Sequence, residues 1–168
     1  MTYIDFHDQL ISLSSGSVEI DADSISGPNL RVDIAVVFNP ANGQTYKQAG
    51  IICVAGTFIP IKSVNDPEPV LLEKGKTFDK QSFTGYTLVN AWQTVLARKI
   101  LSPTPAPWTG GWKDVSHKYV PFMIEKGIAV YYGWLELSFD SVAETITLHR
   151  SACALNGMEY NKAVTTGE

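Results

Sequence analysis

Three acidic residues raise the question of chemistry first. Glu19, Asp21 and Asp23 alternate with Val18, Ile20 and Ala22 in the segment Ser17 to Asp23. In an extended chain this spacing puts the carboxylates on one face, about 6.5–7 Å apart per step, and the apolar side chains on the other. Two carboxyl groups about 5–5.5 Å apart can cleave a glycosidic bond, one as nucleophile and one as acid/base. The same residues suit a hard cation: Asp21, Asp23 and a loop carbonyl near Gly27 could bind Ca²⁺ through oxygen. An EF-hand is excluded, because Ile25 occupies its fifth position and no Glu stands at its twelfth. The plain alternative is a solvated strand face.

A second candidate lies in the loop Ser102 to Gly111, which carries three prolines and two glycines. Trp108 and Trp112 sit in or beside it, where a ring is hard to bury. A flat indole stacks on the C–H face of a pyranose, and Asp114 is placed to fix the sugar hydroxyls. The competing reading makes both indoles the end cap of the core.

Other catalytic signatures fail. Gly75-Lys76-Thr77 looks like the end of a P-loop, but Val70 stands where the first glycine must be. His7, His117 and His149 are scattered and show no metal-ligand spacing. Cys53 and Cys153, the only cysteines, each lie among apolar or small residues. Two buried thiols or one disulfide are both open, the second requiring an oxidising compartment.

The elements that must position these groups read as strands. Hydrophobic residues make up 45% of the 168, aromatic residues 11%, with 13 Gly and 9 Pro, a composition suited to many strands joined by turns. Charged residues are 18%, below the roughly 25% of ordinary soluble domains. The net charge is −4 without any basic run, which disfavours nucleic-acid binding. No apolar run reaches the roughly 18–20 residues of a membrane span.

Lys118 to Asp140 reads as a central hairpin, two apolar runs about Glu125-Lys126-Gly127. Leu135, Leu137 and Phe139 point to the core, and Glu136, Ser138 and Asp140 point away. Tyr131 and Trp134 read as core rings. Gly133 leaves a gap that an aromatic ring from a neighbouring strand could fill. Further strands are expected at 3–13, 30–38, 51–54, 57–61 and 145–155, with turns at Asn42-Gly43 and Asn156-Gly157. The Ala35-Val36-Val37-Phe38 end of the 30–38 strand suggests burial on both faces. Leu88, Trp92, Val95, Leu96 and Ile100 follow helical spacing, so one short helix is expected near 88–100. The expected fold is all-β: residues 1–168 as a single domain, a two-sheet jelly-roll-like β-sandwich.

The C-terminal third resembles a pattern found in exported bacterial β-sandwich proteins. The matching pieces are Lys118-Tyr119, Tyr131-Tyr132-Gly133-Trp134-Leu135-Glu136-Leu137-Ser138, Thr145 to Leu148, Ala152-Cys153-Ala154 and Thr166-Gly167-Glu168. Asp21-Ala22-Asp23 with Asp33 resembles the acidic early segment of the same proteins. Glu19 to Asp23 is also similar to the catalytic strand of laminarinase-like glycosidases, with Asp23 or Ser24 where the acid/base Glu would stand. The first resemblance implies an extracellular or cell-surface protein and no particular activity.

The N-terminus has neither a basic n-region nor an apolar h-region, so this chain shows no leader. A mature exported protein and a cytoplasmic one are both compatible with that. The leading functional expectation is a non-catalytic glycan-binding or adhesion module, with Trp108, Trp112 and Asp114 at the ligand and Ca²⁺ at Asp21 and Asp23. The alternatives are a jelly-roll glycoside hydrolase and a self-assembling fibre or surface-layer subunit.

Overall fold

The structure is a computed structural model, and it describes residues 1–23, 27–54, 56–90, 93–154 and 162–168. Strands dominate it. In chain order they are β1 (Thr2–Ile11), β2 (Val18–Ile20), β3 (Leu30–Asn39), β4 (Gln44–Cys53), β5 (Thr57–Ile61) and β6 (Thr77–Phe78). They continue as β7 (Thr87–Asn90), β8 (Gln93–Ser102), β9 (Val115–Lys126), β10 (Ala129–Asp140), β11 (Thr145–Cys153) and β12 (Val164–Thr165). Among the described residues the one helical element is a 3₁₀ turn, Gln81–Phe83, between β6 and β7. Among the described residues no helix is long and apolar enough to cross a membrane.

The strands form a six-stranded sheet in the order β1-β11-β10-β9-β5-β7, a four-stranded sheet β2-β3-β4-β8 and a two-stranded ribbon β12-β6. The all-β sandwich expected from the sequence is therefore present. Hairpin partners stay within one sheet, as in β3-β4 and β9-β10-β11, and the chain passes between the two larger sheets at β1–β2, β4–β5, β7–β8 and β8–β9.

The alternation in each strand explains how the layers stack. Val120, Phe122 and Ile124 of β9 and Leu135, Leu137 and Phe139 of β10 face Leu30, Val32 and Ile34 of β3 and Ala49, Ile51 and Cys53 of β4 in one core. The opposite face of the six-stranded sheet is apolar over only half its area. There Tyr119, Met123, Tyr132 and Trp134 are covered by Val70, Phe78, Phe83 and Val164. Trp134 is clamped by an indole N–H donated to the Thr165 carbonyl at 3.1 Å and by Tyr119 edge-on at 5.3 Å. Among the described residues, the other half of this outer face has no cover from the ribbon, and Asp5, His7, Asp8, His117, Glu136, His149 and Arg150 line it.

The central hairpin turns at Gly127-Ile128, with Gly127 at φ +62°, as a two-residue turn requires at its first position. Gly133 lies opposite Phe122, and the Phe122 ring fills the space a side chain would take. The ring that the sequence pattern calls for comes from β9.

The helix expected near 88–100 is absent. Thr87–Asn90 pairs with β5 and Gln93–Ser102 with β4. The helical spacing arises from a bulge: Ala49 pairs Ala97 and Gly50 pairs Val95, so Leu96 is an extra residue. A bulge shifts the phase of alternation by one and imitates i, i+3, i+4 periodicity. Trp92, part of that pattern, lies outside the described residues.

The far end of β3 also departs from expectation. Val36 and Phe38 are 49% and 60% exposed, while Leu30, Val32 and Ile34 on the same face are buried. The tail of the last expected strand, Leu155, and the turn Asn156-Gly157 lie outside the described residues, as do Ser24 and Ile25.

Candidate functional site

The uncovered half of the outer face is where polar side chains converge. β10 carries Glu136 and Ser138 onto it, continuing the row that begins with Tyr132 and Trp134. β9 brings His117, β11 brings His149 and Arg150, and β1 brings Asp5, His7 and Asp8. Seven of these residues line an open depression of about 430 Å³: Asp5, His7, Asp8, His117, Glu136, His149 and Arg150. All three histidines of the chain meet here, from strands far apart in sequence.

Three bulges bring them together. The β10–β11 ladder skips between Glu136/Leu137, leaving His149 as the extra residue of β11. The β9–β10 ladder skips between Leu137/Phe139, around His117. The β1–β11 ladder skips between Asp5/Gln9, around His7 and Asp8. Bulges re-aim side chains, and they favour positions next to functional sites. The backbone shows the same local demand. Among the described residues five non-glycine positions have positive φ, and three of them are His7 (52°), Asp8 (57°) and His117 (50°). Such conformations are uncommon for non-glycine residues and concentrate at sites where the surrounding structure enforces them.

Two hydrogen-bonded groups share the depression. In the first, Glu136 is buried, accepting from His117 Nδ1 at 2.9 Å and from Arg150 Nε at 2.9 Å. Burial alone would raise the Glu136 carboxyl. The hydrogen bonds from His117 and Arg150 and the Arg150 charge outweigh it and hold the carboxyl below its ordinary range. Arg150 is raised in turn by its hydrogen bond to Glu136. Its guanidinium also lies 5.9 Å from the Trp134 ring centre.

In the second group, His149 Nδ1 donates to Asp8 Oδ1 at 2.5 Å, and His149 Nε2 meets Ser138 Oγ at 2.7 Å. Asp8 is held below the usual carboxylate range chiefly by the His149 hydrogen bond. A carboxylate only accepts, so the neutral ring carries its proton on Nδ1 and leaves Nε2 to accept from Ser138. The backbone N–H of His117 donates to Ser138 Oγ at 2.9 Å. The His117 and His149 rings stack at 3.9 Å with 20° between planes, which ties the two groups together.

The residues singled out in the sequence stand elsewhere. Trp108 is 5% exposed and Trp112 0%, so neither offers a face for sugar stacking. The exposed-indole expectation is corrected: both rings belong to the core. Trp108 packs edge-on against Phe139 at 5.0 Å and donates Nε1–H to Glu144 at 3.2 Å. Trp112 donates to the Pro69 carbonyl at 3.0 Å. The prolines of the loop do not expose these rings, because the loop folds back along β8, Ala106 donating to the Ile100 carbonyl and Thr109 pairing with Arg98, and both rings enter the core. Asp114 is exposed, with φ +55°, and accepts from Ser141 N at 2.9 Å. It lines a second open depression of about 410 Å³ with Ser116, Ser138 and Thr147.

The acidic trio does not share a face. β2 ends at Ile20, and the chain turns at Ala22-Asp23. Glu19 stays exposed, while Asp23 is buried and paired with Lys126 at 2.6 Å. A strand three residues long cannot carry the alternation through Asp23. Among the described residues no group of three or more His, Cys, Asp and Glu side chains stands close enough to hold a metal. Cys53 and Cys153 are both free and buried, and burial pushes each thiol up to about 12.

The sequence left one usable trace of the outer-face site: Glu136 and Ser138 interrupt an apolar hairpin on its even positions. Nothing in the spacing of His7, His117 and His149 announced that bulges would gather them.

Fold and site together define a class, an all-β sandwich with a bulge-built polar cluster on the open half of its larger sheet. No protein-family model, no curated protein and no solved structure matches the chain.

Proposed function

We propose that this domain is a ligand-binding module of an exported or cell-surface protein, and that the open half of the outer face takes a glycan. The observation that carries this reading is a combination of a fixed polar floor and an exposed ring. Buried Glu136 holds the Arg150 guanidinium in place at 2.9 Å, so the exposed part of that guanidinium meets a ligand with little ordering cost. Tyr3 is 58% exposed and packs edge-on against Trp134 at 6.5 Å. It stands one step along β1 from Asp5 on the same face, about 6.5–7 Å away. An aromatic face beside fixed carboxylate and guanidinium groups suits a sugar ring with its hydroxyls. Tyr3 takes the stacking role that the sequence suggested for Trp108 and Trp112.

The extracellular setting rests on the resemblance of the C-terminal third to exported bacterial proteins. The glycosidase alternative draws no support from Glu19, Asp21 and Asp23 as they stand.

A glycan array screened with the wild type, Tyr3→Ala and Arg150→Ala tests the reading, each with Ca²⁺ and with chelator. Binding by the wild type and at least a tenfold loss in both variants is expected. Absence of binding by the wild type, or binding indifferent to Tyr3→Ala, overturns it. Concentration-dependent oligomers by sedimentation, without glycan binding, would assign the domain to self-assembly instead.

A further inference from the structure

We infer that Ser138 is a nucleophile activated by His149 and Asp8, which gives the domain an acyl-transfer activity toward esters. This stands on the second hydrogen-bonded group and is independent of the glycan reading. The inference comes from roles and geometry. Ser138 Oγ lies 2.7 Å from His149 Nε2, and Asp8 Oδ1 lies 2.5 Å from His149 Nδ1. A nucleophile in hydrogen-bond reach of a base, with that base oriented by a third group, is the arrangement that activates a hydroxyl. It is recognised by geometry on any fold, whatever the chain order.

The surroundings favour a working hydroxyl over a merely satisfied one. The His117 N–H already donates to Ser138 Oγ at 2.9 Å, so the hydroxyl proton is directed to Nε2. His149 is 8% exposed, held between its two partners and the His117 ring, so its orientation is fixed. Ser138 borders the depression of about 410 Å³ beside Asp114, Ser116 and Thr147, which gives a carbonyl access to it. Asp8 reaches His149 only because His7 and Asp8 adopt positive φ in the β1 bulge.

The chemistry balances without a cofactor. Ser138 Oγ attacks the ester carbonyl carbon and forms the new C–O bond while its proton passes to His149 Nε2. The ester C–O bond breaks, and the proton on Nε2 goes to the departing alkoxide, releasing an alcohol. Water then attacks the acyl-serine, giving its proton to His149. The acyl–Oγ bond breaks, the proton returns to Ser138, and a carboxylic acid leaves. Asp8 stays ionised and orients the ring throughout.

The test uses a fluorophosphonate probe and p-nitrophenyl acetate on the full chain. One covalent probe adduct per chain, mapped by peptide mass spectrometry to Ser138, is expected, together with acetate ester turnover. Ser138→Ala should abolish both. His149→Gln should slow labelling about 100-fold or more, the scale of a lost general base. Asp8 is exposed, so Asp8→Asn leaves the fold intact and should slow labelling at least about tenfold. Absence of an adduct, an adduct elsewhere, equal labelling of Ser138→Ala, or labelling of Ser138 that ignores both Asp8→Asn and His149→Gln overturns the inference.

Discussion

Gly133 offers a test in which strand propensity and packing predict opposite signs. Replacing a strand glycine by alanine ordinarily stabilises by about 0.5–1 kcal/mol, because glycine loses more freedom on folding. Gly133 does not have positive φ, so an alanine there meets no backbone strain of its own. Space decides the outcome. A Cβ at Gly133 would stand 2.3 Å from Phe122 Cζ and 2.6 Å from the Ala152 carbonyl oxygen. The ring could shift into neighbouring volume, but the carbonyl belongs to the backbone of β11 and cannot move without breaking its ladder. Overpacking of this kind costs about 1–3 kcal/mol, and the entropic gain of about 0.5–1 kcal/mol offsets part of it, so a net loss of about 0.5–2 kcal/mol is the expectation.

Phe122 is fully buried, and Phe122→Ala should cost about 3–5 kcal/mol through its cavity. The double variant Gly133→Ala/Phe122→Ala relieves the ring contact and keeps the carbonyl contact. It should therefore be more stable than the sum of the single effects by about 0.5–3 kcal/mol. Urea denaturation followed by tryptophan fluorescence measures all three, with a thermal shift of about 2–4 °C per kcal/mol as a check. A Gly133→Ala protein as stable as the wild type, or strict additivity in the double variant, would refute the argument that Phe122 fills the glycine gap.

The other expectations concern charge. Glu144 is held down to about 2 by hydrogen bonds from Lys47 and Lys99, against an ordinary 4.5. Its stabilisation is therefore complete above pH 4.5 and is lost as pH falls toward 2. With the carboxylate side chain 25% exposed, solvent screening reduces the contribution to about 1–3 kcal/mol. Glu144→Gln should remove that much at pH 7 and flatten the acid limb of the stability curve, as read by denaturant titration from pH 2 to 7; an unchanged acid limb contradicts it. Cys53 and Cys153, each near 12, should resist a thiol reagent at pH 8 in the native state and react in denaturant; rapid native labelling would show that their burial is misjudged. Lys126→Met removes the 2.6 Å ion pair of the buried Asp23 carboxylate and should destabilise by about 1–3 kcal/mol in the same unfolding assay. A loss below 1 kcal/mol would mean that the pair contributes little.

What the sequence determined by itself is the architecture. Local alternation is enough to mark strands, because a half-buried strand must place apolar residues at every second position. Hence the 57–61 strand matches β5 to the residue, the 118–140 hairpin is β9–β10, and the gap at Gly133 was legible along with the kind of ring that fills it. Alternation misleads where a ladder gains a residue. One extra position at Leu96 made β8 resemble a helix. The short length of β2 broke a pattern that Ser17 to Asp23 appeared to continue. The buried state of Trp108 and Trp112 depended on how a proline-rich loop folds back, which no local rule contains.

The tertiary structure alone decided the site. His117 and His149 come from β9 and β11, which flank β10 in one meander, and His7 comes from β1, which pairs with β11 from the far end of the chain. Their side chains share one face only because three separate bulges rotate them there. A bulge is a mismatch between two strands, so its position depends on the partner as much as on the strand that carries it. That is why the strands could be read one at a time, while the cluster of Asp8, Ser138 and His149 required all of them together.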